Sequence, residues 1–304
     1  EKTTYRLSGR YMYDDSNLKW GNNNNQRYNL RLNNTFHVTD KFDIESVLSF
    51  FRQAQVAPTQ VGSALTASTQ QPGFPSSTTD GKPYAWGTWG APNWYCELGG
   101  DNKLRVTGVN ISEMFKYTFN EHFNAVATFG YNTNNATRDI QRTSIDWYNY
   151  AGTKKVMTNP QQEESNYIKS NSQTDLYTIN AYANWSQTLA DKHDVAVMLG
   201  TQYSFKEYDY TTTKAKNILP SLDIINGIGE VTLVNDNNKG PEKWQEALLS
   251  YFARVNYDYL SKYLLEGNIR SDASSRFADG NRWGYFPSFS AAWRISEEGF
   301  MENT

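Results

Sequence analysis

Apolar and polar residues alternate with a period of two in ten separate runs of this chain, and each run predicts a β-strand with one apolar and one polar face. The first sets Tyr5, Leu7, Gly9, Tyr11 and Tyr13 against Arg6, Ser8, Arg10 and Met12, and an Asn-rich loop, 14–24, ends it. In the second, Tyr28, Leu30, Leu32, Asn34, Phe36 and Val38 alternate with Arg27, Asn29, Arg31, Asn33, Thr35 and His37. Thr39, Asp40 and Lys41 then turn the chain into a third run with Phe42, Ile44, Ser46, Leu48 and Phe50 in phase. The fourth and fifth, about 106–119 and 123–133, meet at Asn120, Glu121 and His122, and Glu113 interrupts the apolar face of the fourth. The sixth carries Tyr177, Ile179, Ala181, Ala183 and Trp185, and the seventh Val195, Val197, Leu199, Thr201, Tyr203 and Phe205. The runs 251–259 and 263–270 form a hairpin on Leu260, Ser261 and Lys262, and the tenth places Tyr285, Pro287, Phe289, Ala291, Trp293 and Ile295 on one face.

The connections alternate as well. Alternation lapses over 55–103, 134–173 and 207–245, whereas the turns between are tight, so the long segments fall on one end of an up-and-down sheet. Outer-membrane barrels follow that rule, with short periplasmic turns, long outer loops, apolar residues toward lipid and polar ones toward the lumen. A compact soluble domain seldom holds three such loops at one end. The predicted fold is therefore all-β, a transmembrane antiparallel up-and-down β-barrel with about ten strands in this chain.

Three stretches carry a resemblance: Tyr251-Phe-Ala-Arg-Val-Asn-Tyr-Asp-Tyr; Tyr263-Leu-Leu-Glu-Gly-Asn-Ile-Arg-Ser-Asp-Ala-Ser-Ser-Arg-Phe; and Trp283-Gly-Tyr-Phe-Pro-Ser-Phe-Ser-Ala-Ala-Trp-Arg-Ile-Ser-Glu-Glu-Gly-Phe-Met. Together they resemble the SusC/RagA family of TonB-dependent outer-membrane transporters. The resemblance implies a larger barrel of roughly 22 strands with a plugged lumen, of which residues 1–304 are a middle portion. The plug, an N-terminal extension and the remaining strands are expected outside this sequence. It also implies energy-coupled import of a glycan or peptide across the outer membrane of a Bacteroidetes-type cell, with TonB acting through the absent parts and a SusD-like surface lipoprotein as lid. A passive porin-like or surface-binding barrel is the alternative.

Composition agrees with a wall. The hydrophobic fraction is 38%, mean hydropathy is −0.72, and yet 15% of residues are aromatic. No run reaches the roughly 20 apolar residues of a spanning helix. A net charge of −3 without a basic run gives no case for nucleic acid. The single Cys96 excludes an internal disulfide. Glu1 stands a few residues before a strand, so a cut or processed start is expected. His37, His122 and His193 each lie by a short turn without metal-ligand spacing and read as rim residues. No metal, cofactor or catalytic constellation emerges, and no enzymatic activity is expected.

The candidate site residues form two groups. Tyr84, Trp86, Trp89, Trp94 and Tyr95 cluster within twelve residues of the first long loop. They offer either a stacking surface for substrate or partner, or the small core that a loop of this length needs. Lumen-facing Arg27, Arg31, Arg254, Asn256, Arg270 and Arg294 are expected to contact substrate or plug, or to form wall pairs with Asp258, Glu266 and similar neighbours, because buried charge must be satisfied internally.

Overall fold

A computed structural model describes residues 2–69, 73–86, 89–155, 165–216, 225, 230–232 and 242–301, with the side chains of Trp89 and Lys155 outside the description. Ten long strands form one antiparallel sheet in strict chain order: β1 (Thr3–Asp15), β2 (Asn24–Thr39), β3 (Phe42–Pro58), β4 (Asp101–Asn120), β5 (Phe123–Arg142), β6 (Asn166–Leu189), β7 (His193–Lys216), β8 (Glu242–Tyr259), β9 (Tyr263–Ser274) and β10 (Trp283–Trp293). Each predicted run is the heart of one strand. A three-residue strand, Glu230–Thr232, adds to the end of β7. β1 and β10 are the edges of this path, and lipid offers no water to their unpaired backbone groups, so in a bilayer both need further strands. The wall is thus part of a larger barrel.

The pairing continues well past the alternation. β5 runs on to Arg142, β6 starts at Asn166, β7 reaches Lys216 and β8 begins at Glu242, so much of 134–173 and 207–245 is strand and not loop. The reason is solvent. Above the membrane both faces meet water, the apolar signal vanishes, and the hydrogen-bonded ladder goes on without it. The tight turns behave as expected: Ala190 and Asp191, and Leu260 and Ser261, hold φ between 51° and 57° at paired central positions, the hairpin geometry whose twist matches that of the strands.

The apolar face lies bare along the whole sheet, with Phe289 86% and Tyr5 79% exposed. Aromatic residues on it sit eight positions apart on five strands: Tyr28 and Phe36, Phe123 and Tyr131, Tyr177 and Trp185, Tyr251 and Tyr259, Tyr285 and Trp293. Eight residues make roughly 26 Å of strand, about 21 Å of height on strands tilted by roughly 35°, a little under the ~25 Å apolar band between two aromatic girdles in a membrane barrel. The register gives the tilt. The row through Tyr28 on β2 passes Arg52, Thr107, Asn135, Gln173 and Asp209 to Lys243 on β8. The girdle residue of β8, however, is Tyr251, which aligns with Tyr285 on β10. From β2 to β10 the girdle therefore advances eight residues over eight strand steps, and one residue per step corresponds to a tilt of roughly 35°, within the range for closed membrane barrels. One row breaks the band: Asn34, Ser46 and Glu113 are register partners on the apolar face, and the Ser46 hydroxyl donates to the Glu113 carboxylate at 2.5 Å.

Candidate functional site

The first and second long connections fold together into a module over the end of the sheet. Helices α1 (Val61–Ser68) and α2 (Pro92–Leu98) form in the first, α2 starting on a proline that suits the first helical position. Gln60 Nε2 donates to Thr143 O at 3.1 Å, Thr143 N to Gly99 O at 3.1 Å and Tyr148 N to Pro83 O at 2.9 Å, which tie the two connections to each other. Their shared core is Tyr95, Trp147, Cys96, Ile145, Ala64, Ala67 and Ala85. Tyr95 is fully buried and Trp147 1% exposed, their rings 5.0 Å apart, and the Tyr95 hydroxyl accepts from Gly90 N at 3.2 Å. Burial pushes the Cys96 thiol above its ordinary range, with nearby Glu97 adding to the effect.

The five loop aromatics therefore divide. Tyr95 belongs to the core, and Trp94 packs against it while its Nε1 donates to Ser76 O at 2.7 Å. Trp89 pairs with Trp86 along the backbone of a two-residue ribbon, and its side chain lies outside the described residues. Trp86 and Tyr84 instead join a ladder at the surface. Phe74 stacks on Trp86 with centroids 4.7 Å apart and planes 5° apart, Trp86 stacks on Tyr84 at 6.3 Å, and Tyr150 meets Tyr84 edge-on at 6.4 Å. Phe74 and Tyr150 are exposed. Beside the ladder the Lys82 ammonium sits 5.0 Å from the Tyr148 ring and 2.7 Å from Asp80. Hydrogen bonds from Lys82 and then Thr78 lower the Asp80 carboxyl below its usual range, and the same contact raises Lys82. Trp147 and Tyr150 were missed by sequence reasoning; the aromatic run Trp147-Tyr-Asn-Tyr was the signal for both.

On the polar face two copies of one arrangement hold arginines in place. Gly108 on β4 faces Phe51 on β3, whose ring lies 4.8 Å from the Arg27 guanidinium; Gly200 on β7 faces Phe252 on β8, whose ring lies 5.8 Å from that of Arg270. A Cβ at either glycine would collide with the phenylalanine ring, so glycine here makes room for an aromatic plate. Arg270 further donates to Asp272 at 2.7 Å, Ser250 at 2.8 Å and Gln202 at 3.2 Å. Arg27 donates to Asn29 at 3.2 Å and Arg31 to Asn33 at 2.9 Å. Arg254 donates to Asn268, which donates to Glu266 at 2.7 Å. The expected pairs with Asp258 and Glu266 thus differ in detail. Asn268 lies opposite Arg254 and relays it to Glu266, while Asp258 stands opposite Asp194 and Leu264. Asn256 lines a hollow of about 750 Å³ with Asp194, Asp258 and Glu266 near the short turns. Arg294 lies one residue past β10, at the start of a 3₁₀ turn, where its N–H reaches Lys262 O at 2.8 Å. The three histidines all sit at the short turns, with His37 Nδ1 2.6 Å from Asp43, His122 Nδ1 3.0 Å from Ser186 O and His193 Nδ1 2.7 Å from the Tyr257 hydroxyl.

A tilted, girdled, polar-lined wall with a folded module at one end defines a class, that of outer-membrane β-barrels, and similarity to known proteins narrows it. No protein-family model matches the chain. TonB-dependent receptor P39 of Formosa agariphila is 34% identical over 163 residues, covering 51% of this chain and 15% of that protein. TonB-dependent receptor SusC of Bacteroides thetaiotaomicron is 48% identical over 59 residues, 19% of this chain and 6% of that protein. The RagAB peptide importer in its closed-closed state matches in fold with a TM-score of 0.76 at 17% identity, over 100% of this chain and 34% of that one. The chain therefore spans only a small part of these relatives, as a middle portion of the barrel does. It resembles the wall of TonB-dependent receptor barrels of the SusC/RagA type.

Proposed function

We propose that this wall belongs to an energy-coupled importer of the outer membrane, with the long connections outside the cell and the short turns in the periplasm. The loop module and its ring ladder receive cargo or a SusD-like lipoprotein lid, the polar face passes an oligosaccharide or peptide inward, and TonB acts through parts of the receptor outside this sequence. The observation that carries this reading is the folded module itself. Its exposed Phe74 ring, stacked on the half-buried Trp86 and Tyr84 at the end of a polar-lined wall, is of the kind of flat apolar face that gains by stacking on a ligand. Cells expressing the receptor should take up cargo only while the proton-motive force is maintained. Uptake that persists in de-energised cells identifies a passive pore instead. Replacing Phe74 and Trp86 together by Ala should lower uptake or lid retention about tenfold, one 1.4 kcal/mol step, without altering assembly of the barrel.

A further inference from the structure

We propose that the row Asn34–Ser46–Glu113, on the lipid-facing side of the wall, is the centre of an interface with a second copy of this receptor, the two barrels standing side by side in the membrane. The interface is independent of what the barrel carries. Between the girdles, Glu113 is the one Asp, Glu, Lys or Arg on the apolar face among the described residues. Ser46 stands four residues from Phe42 and four from Phe50 on β3, at the middle of the band, and Asn34 and Glu113 are its register partners on either side. The Ser46 hydroxyl donates to one oxygen of the Glu113 carboxylate. Asn34 Oδ1 is buried without a hydrogen-bond partner, and no described residue takes the N–H groups of that amide. A carboxyl and an amide facing hydrocarbon find no water there, and lipid chains offer no hydrogen bond in exchange. β2, β3 and β4 lie inside the sheet, paired on both sides, and this face looks away from the lumen. Neither an adjoining strand nor anything held in the barrel reaches the row.

A second copy is the partner these groups fit. Any protein that satisfies them has to offer polar groups at the middle of the bilayer, and a copy in the same membrane holds its own at that depth by symmetry. The row is also its own complement. A two-fold axis along the membrane normal, in front of Ser46, exchanges the flanks, so the Asn34 amide of each copy faces the Glu113 carboxylate of the other, donor to acceptor twice over, as in an isologous dimer. At the wall's tilt the flanks differ in depth by roughly 5 Å, a gap that an Asn and a Glu side chain span between them. Shape follows the same axis, for β1 and β5 lie two strands to either side of β3. Leu7 on β1, two residues in from Tyr5, stands at the depth of Ala125 on β5, two residues in from Phe123. Ala125 and Ala127, with Ala181 and Ala183 on β6, floor a hollow of about 660 Å³ in the lipid face. Each copy thus sets large side chains against small ones of the other, and close packing with polar contacts is what joins proteins inside a membrane.

The test uses the complete receptor, its native cysteines replaced by serine, in dilute lipid vesicles, with self-association read by two-colour single-molecule fluorescence. Ser46→Cys should form a receptor–receptor disulfide under a membrane-permeant oxidant, because the axis brings the two positions together. Val255→Cys, at the same depth on β8, should not. Glu113→Leu should weaken association roughly tenfold, the loss of two membrane hydrogen bonds, while the barrel folds at least as well, since a carboxyl has left the lipid face. Glu113→Gln, which still accepts from Asn34, should keep most of the association, and Asn34→Leu should lose as much as Glu113→Leu. Receptor that stays monomeric overturns the proposal, as does association unchanged in both leucine variants, or cross-linking at Val255 as fast as at Ser46. A Ser46→Cys receptor that links only to a different protein in whole outer membranes overturns it too, by giving the row another partner.

Discussion

Gly108–Phe51–Arg27 and Gly200–Phe252–Arg270 show at the level of single residues how charge is kept inside this wall. Each ring lies over a glycine on one neighbouring strand and beneath a guanidinium from the other, so the cation gains a π face as well as its hydrogen bonds. Gly200→Val should therefore destabilise the folded receptor by about 1–3 kcal/mol, the usual cost of overpacking, measured by urea unfolding in lipid vesicles; an unchanged midpoint would show the ring free to move aside. A second local device closes the β9–β10 end. Glu298 accepts from the Tyr263 hydroxyl at 2.7 Å, Trp293 Nε1 at 3.2 Å and Lys262 Nζ at 3.2 Å. The Tyr263 contact, ahead of the other two, lowers its carboxyl below the ordinary range. A carboxyl lowered by folding contributes stability above its unfolded pKa and loses it as pH falls through the folded one. Trp293 emission should thus hold steady from neutral pH to about 4.5 and shift only below it, a transition that Glu298→Gln should abolish. None of these pairings was legible in the sequence beforehand, because cross-strand neighbours depend on register, which alternation alone leaves open.

At the scale of elements, strands were legible wherever one face meets lipid and the other does not. Tyr28 to Phe36 and Tyr251 to Tyr259 could be read directly; 134–142, 166–173 and 207–216 could not, since water on both faces erases the period. The helices of the module were hidden for a related reason: seven or eight residues, Val61–Ser68 and Pro92–Leu98, are too few to show a 3.6-residue period. The two readings that the sequence left open for the loop aromatics divide between residues. Tyr95 packs inward, whereas Trp86 and Tyr84 stay at the surface with a Phe74 that spacing did not single out. The module should behave as a unit separate from the wall. Trp147→Ala removes its largest side chain and should cost about 3–5 kcal/mol of local stability, opening Cys96 to solvent. Maleimide should then label Cys96 at pH 7 in the variant within minutes and leave the native thiol largely unmodified, because burial and a raised pKa both suppress the thiolate. Equal labelling of both would mean that the core around Tyr95 does not persist in solution.

For the whole molecule, the girdle spacing and its drift across the register convert a list of strands into a depth scale. Val255 lies midway between Tyr251 and Tyr259 on the apolar face, so Val255→Arg should cost about 2–4 kcal/mol in vesicle folding. Asn180 faces the lumen beside Thr128 and Gln202, and Asn180→Arg should be tolerated. Comparable losses at the two sites would mean that the faces are assigned the wrong way round. The same scale measures how far the wall stands clear of the bilayer. β6 continues from Tyr177 back to Asn166, and β7 from Phe205 on to Lys216, eleven residues apiece. At the girdle tilt this amounts to roughly 30 Å of height, comparable to the diameter of a small domain. The module consequently rides on a rigid parapet rather than on tethers. A protein docking there would stay clear of the headgroups, while the short turns lie flush with the opposite leaflet.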